Sequence, residues 1–141
     1  MSTTIQTRHI LVAYDGTAPS RRALTRAGEI ARTDDDVSVL SAVPYPSADY
    51  APEQRAHQAA LLEQAREALE GRGVAATTIA AEGDVATEVL AAARETGADL
   101  IVIALDRERF PHVPGSTTDT IVRLAPCDVY IAYAHPDPAA R

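Results

Sequence analysis

Five short apolar runs separated by four amphipathic stretches constrain this chain more than any other feature. "HILVAY" (9–14) is closed by "DGTAPS", where Asp-Gly marks a turn and Pro19 suits the first turn of a helix. Ala23, Leu24, Ala27, Ile30 and Ala31 then recur at helical spacing, with Arg21, Arg22, Arg26 and Glu29 on the other face. "DDD" (34–36) reads as a solvated turn, and "VSVLSAV" (37–43) as a second strand. A helix over roughly 52–71 follows, with an apolar stripe of Leu61, Leu62, Ala65, Ala68 and Leu69, ended by "GRG". "VAATTIAA" (74–81) is a weakly patterned third strand, and Asp84 is an N-cap candidate for a helix that stops at Gly97. "ADLIVIAL" (98–105) is apolar on both faces, as a central parallel strand is. A helix from Thr117 to Ala125 and a last strand, "DVYIAYA" (128–134), complete the series.

Strands alternating with helices imply a doubly wound, five-stranded parallel α/β sheet of Rossmann-like type, with helices on both faces. The expected strand order is 3-2-1-4-5. The 141 residues suit one domain, 1–141, with a core over about 8–134 and no internal repeat.

In such a sheet ligands bind beyond the carboxyl ends of the strands, where the strand order reverses. That places a crevice between strands 1 and 4. Asp15 and Gly16 follow strand 1, the 105–117 segment follows strand 4, and Val43 and Pro44 flank from strand 2. Asp15 has two readings, a ribose-hydroxyl acceptor or simply part of a turn. Gly115, Ser116 and Thr117 precede a helix whose N-terminal N–H groups suit a phosphate. The spacing from Ser116 to Asp119 is equally that of a capping box, which satisfies those same groups and adds a negative charge.

Composition narrows the function classes. A net charge of −7 argues against nucleic-acid and anionic-membrane partners, which need basic stripes. Every basic residue is Arg, so there is no lysine phosphate clamp or Schiff base. The lone cysteine, Cys127, forms no internal disulfide and reads as a small buried apolar residue. The N-terminus lacks the apolar core of a signal peptide, and the run from Leu100 to Leu105 is far too short to span a bilayer, so a cytoplasmic protein is expected. His9, His57, His112 and His135 show no metal-ligand spacing and read as solvated. No Ser/His/Asp or Cys/His set assembles from spacing, so no catalytic residue and no metal is expected.

"HILVAYDGTAPSRRALTRAGEIAR" with "VSVLSAVP", then "GDVATEVLAAARETGADLIVIA", then "GSTTDTIVRLAPCDVYIA", together resemble the universal stress protein family from about His9 to Ala134. The resemblance implies a role in stress survival and a homodimer. Many members bind ATP or AMP through G-x-x-G-x9-G-[ST] after strand 4. Here only Gly115-Ser116 matches; Ala104 replaces the strand-end glycine and "LDRERFPHVP" contains none. The contacts that carry over are Asp15, Val43, Gly115 and Ser116, with Thr117 beside them.

Glycines let a backbone approach phosphate oxygens closely. This segment instead offers two prolines without N–H donors, Pro111 and Pro114, and Arg107 and Arg109 alternating with Asp106 and Glu108. The chain therefore resembles the subclass that lacks the ATP motif: a module acting by binding, with no cofactor expected. The alternative is an ATP- or AMP-binding regulator with at most slow hydrolysis. An adenylating enzyme of similar fold is disfavoured, since no S-G-G-x-D-S loop follows strand 1. Val129, Tyr130, Ile131, Ala132 and Tyr133 form an apolar strand at the sheet edge, expected to pair with a second copy, since burial under the chain's own helices would explain one face but not the open edge; a regulatory protein is a further candidate partner.

Overall fold

Each helix of the computed structural model carries the chain back across a parallel sheet, as parallel pairing requires. The structure describes residues 7–44, 49, 51–105 and 116–133. The elements are β1 (His9–Ala13), α1 (Ala18–Ile30), β2 (Asp36–Val43), α2 (Ala51–Glu70), β3 (Ala76–Glu82), α3 (Val85–Thr96), β4 (Leu100–Leu105), α4 (Thr117–Leu124) and β5 (Asp128–Tyr133). All four strand pairings are parallel, in the order β3-β2-β1-β4-β5. Fold class and strand order are those expected from the alternation.

Two strands begin later than their apolar runs do, for one reason. The Val74 N–H returns to the Leu69 carbonyl at 2.9 Å, so Val74 closes α2 and pairing starts at Ala76. Likewise the Ala98 N–H bonds the Ala93 carbonyl at 2.9 Å, after Gly97 ends α3 in the left-handed conformation at φ 66°. Helix closure takes both residues from the strand.

The central strands bury both faces, which is why they lack a polar alternation. Ile10, Val12, Val37, Val39 and Val102 pack beneath α1 and α2 with Leu24, Leu62 and Leu69. On the other face Leu11, Leu40, Ile101 and Ile103 meet Val89 of α3 and Ile121 of α4. Burying each such side chain contributes about 1.5–3 kcal/mol. The α2 stripe differs from expectation: Ala68 is exposed, while Gln58 is buried at 3% exposure. The Gln58 amide donates to the Ser41 and Ala81 carbonyls at 2.7 and 3.0 Å, tying the ends of β2 and β3 to the helix.

Two further readings are corrected. The triple aspartate is not wholly solvated. The Asp35 side chain is 2% exposed and accepts Arg8 Nη2 at 2.7 Å, Arg8 Nε at 3.2 Å and the Arg32 N–H at 2.8 Å. Arg8 also reaches the Ile30 carbonyl at 3.0 Å, so one ion pair holds the end of α1 to the start of β1. His9 is half-buried, with Nε2 3.1 Å from Ser38 Oγ, which lies 3.0 Å from Thr77 Oγ1. His57 is exposed; His112 and His135 lie outside the described residues. Cys127 packs partly buried against the α3/α4 core, and burial pushes its thiol pKa up.

Candidate functional site

The turn after β1 is built by short-range hydrogen bonding. The Asp15 carboxylate accepts the Thr17 N–H at 2.9 Å and the Thr17 hydroxyl, while the Asp15 N–H donates to Ser20 Oγ at 3.2 Å. Thr17 in turn caps α1. Gly16 takes φ 82° beneath Leu61, where a Cβ would lie 2.7 Å from that side chain; glycine meets both demands. Burial pushes the Asp15 carboxyl up, but the hydrogen bonds from Thr17 and Ser20 outweigh it and hold the group below its ordinary value. Asp15 therefore both shapes the turn and sits as a carboxylate at the surface.

At the other wall Ser116 caps α4. Its Oγ accepts the Asp119 N–H at 3.2 Å, and its carbonyl accepts the Thr120 N–H at 2.9 Å. Asp119 stands in the first turn and meets Arg123 Nη2 at 3.1 Å. A side-chain oxygen and a carboxylate thus already occupy the positive end of this helix.

Between the two turns lies a crevice of about 580 Å³, at the switch between β1 and β4. Asp15, Thr17 and Ser20 line one side; Ser116, Thr117 and Thr118 line the other. Leu40, Ala42, Ile103 and Ala104 form its floor, with Val85 at the start of α3 beside them. No arginine lines it among the described residues. It can hold a flat apolar group on the strand ends and hydrogen-bond hydroxyls at the rim, a combination common in small-molecule sites.

Of the expected site residues, the structure brings Asp15, Ser116 and Thr117 to this crevice. Val43 is not among its lining; the pleat turns its neighbours Leu40 and Ala42 toward the crevice, and the Val43 carbonyl accepts the Gly83 N–H at 2.7 Å. Gly115 and the segment 106–115, with Arg107 and Arg109, lie outside the described residues. Thr17, Ser20 and Thr118 were not singled out from the sequence. The first two are signalled by their spacing from Asp15, an aspartate followed at two residues by a hydroxyl that opens a helix.

The model described as the universal stress protein family matches residues 6–132. The chain belongs to the universal stress protein family. A search of curated proteins gives no significant match. Among solved structures, a universal stress protein from Burkholderia pseudomallei is 28% identical, with 87% of this chain and 93% of that chain covered and a TM-score of 0.71. UspA from Lactobacillus plantarum is 24% identical over 92% and 99%, with a TM-score of 0.75. A family member from Arabidopsis thaliana with AMP bound is 18% identical over 94% and 98%, with a TM-score of 0.71. At these identities the last two likenesses speak for the fold.

In this universal stress protein β5 is an edge strand of the described sheet. Among the described residues β5 pairs only with β4. Tyr130 and Tyr133 are 37% and 39% exposed, and Val122 and Leu124 of α4 are 48% and 58% exposed. Val129 and Ile131 lean on the α3/α4 core, and Ala132 is buried at 1% exposure beneath α1. Among the described residues no helix is long and apolar enough to cross a membrane, and no group of three potential ligands could hold a metal ion.

Proposed function

We propose that this universal stress protein is a dimeric binding module of the cytoplasmic stress response whose crevice does not hold ATP tightly. One observation carries the reading. The described wall of the crevice offers a phosphate no cation, and the nearest helix N-terminus is capped by Ser116 with Asp119 behind it. A triphosphate there would meet the Asp15 carboxylate with no arginine among the described lining to offset it, and like charges at close range oppose binding. The exposed edge of β5 supports pairing with a second copy, since an unpaired strand edge with aromatic side chains calls for cover.

A second reading has its own support. The crevice is large enough for a nucleoside, its floor is apolar and its rim carries a carboxylate and hydroxyls. Structural neighbours have been solved with AMP, with cAMP and with dAMP. On this reading the chain is an adenine-nucleotide regulator that grips the base and sugar, with Asp15 on a ribose hydroxyl.

Calorimetric titration of dialysed protein with ATP, AMP and adenosine, with and without Mg²⁺, separates the two. The first reading expects ATP weaker than about 100 μM, roughly −5.5 kcal/mol. Tighter ATP binding overturns it. Adenosine binding as well as AMP would place recognition on the base and sugar alone.

A further inference from the structure

The crevice uses one side of α1, through Thr17, Pro19 and Ser20. Another side is lined with cations. Ala18, Arg21, Arg22, Thr25 and Arg26 surround a shallow depression of about 320 Å³ that shares no residue with the crevice. Their spacing is that of neighbours on one helix face. In a chain of net charge −7, this stripe gathers Arg21, Arg22 and Arg26 against a single carboxylate on the same helix, Glu29.

The three arginines are not in the same state. Arg21 Nη1 is fixed on the Gly16 carbonyl at 2.7 Å, which orients the group and leaves its full charge. Arg26 Nη1 is held by Glu29 Oε2 at 2.8 Å, and that carboxylate favours its charged form. Thr25 Oγ1 donates back to the Arg21 carbonyl at 3.0 Å. Arg22 alone in the stripe has neither hydrogen bond nor ion pair among the described residues, and its Nε is buried with no acceptor. A desolvated N–H without a partner carries its whole desolvation cost, a cost that an incoming acceptor removes.

We propose that this depression is an oxyanion site that takes a phosphate group, with Arg22 as the binding fork and Arg21 and Arg26 as flanking charges. A guanidinium presents Nε and Nη2 along one edge, matched in spacing to two phosphate oxygens. Turning that edge into the depression gives the partnerless Nε an acceptor. The stripe's net charge of +2, from three arginines and Glu29, suits a phosphate dianion better than a single carboxylate. The phosphate is either a free small ion or one carried on a phosphorylated side chain, since both present the same oxygens to an open depression.

Following arginine Nε–H signals by NMR tests the site directly. Inorganic phosphate is titrated at constant ionic strength and about pH 7.5, where the dianion dominates. The Arg22 signal is expected to shift and saturate with a Kd of the order of 1 mM, while the amides of Asp15 and Ser116 stay still. Arg22→Gln should weaken binding at least about tenfold, and Arg22→Lys, which keeps the charge without the fork, should restore only part of it. A phosphoserine peptide binding about tenfold tighter than inorganic phosphate, with its unphosphorylated form inert, identifies a peptide-borne phosphate; equal affinities identify the free ion. A linear, non-saturating Arg22 shift no larger than that of Arg94, exposed on α3, overturns the proposal, as does full retention of binding in Arg22→Gln. The wild-type titration decides the matter even if a variant fails to fold.

Discussion

Replacing Asp35 with asparagine isolates one buried charge whose worth can be worked out. Its carboxyl is held at about 2, down from 3.8: the Arg8 hydrogen bond lowers it most, burial opposes, and the Arg32 N–H and both guanidinium charges lower it further. At about 1.4 kcal/mol per unit, the shift amounts to about 2.5 kcal/mol of folding stability at neutral pH. Because the folded-state value is depressed, this stability is fully present above the unfolded value near 3.8 and is lost as pH falls through about 2. About half should be gone by about pH 3.

Arg8 is one-third exposed and can rehydrate, so Asp35→Asn should cost about 2 kcal/mol rather than the larger loss of a fully buried pair. Urea unfolding of both proteins at about pH 6 and about pH 3 gives the difference directly, and the titration of other carboxylates cancels in it. Equal stability at the higher pH, or a gap as wide at the lower pH, would refute the reasoning.

Gln58→Leu should cost about 2 kcal/mol by stranding the Ser41 and Ala81 carbonyls, and amide exchange should quicken at the ends of β2 and β3 before elsewhere. Ser116→Ala should cost about 1 kcal/mol in urea melts, the worth of an N-cap. Gly97→Ala meets no steric contact but places a Cβ at φ 66°, so about 1 kcal/mol is expected from the backbone alone. Tyr130→Asp tests the β5 edge better than a change at Val129, which packs on the core: sedimentation should show a dimer for the wild type and a monomer for the variant, with unchanged circular dichroism.

The nine elements were legible because local chemistry and tertiary packing ask for the same residues. Pro19 opens α1, Asp84 caps α3, Gly97 ends it, and the apolar runs lie where the sheet is buried twice. The crevice was half legible. Asp15 and Ser116 follow from their places after β1 and before α4, whereas Val43 was named one residue away from the side chain that faces the crevice, Ala42. A period of two makes such an offset a change of face. The Arg8–Asp35 clamp was not legible at all, because its partners stand 27 residues apart and each sits among polar neighbours that look solvated. The partnerless state of Arg22 was equally hidden, since its neighbours in sequence differ from it only in what they happen to reach.

The two borders of the sheet are unlike. β3 exposes Thr77 and Thr78, with α2 tied to its end by Gln58 and by Arg55 on Glu82 at 2.8 Å; β5 exposes Tyr130 and Tyr133. On the proposed pairing through β5, two copies related by a two-fold axis would each spend the same edge on the other, so growth from that border would stop at a pair.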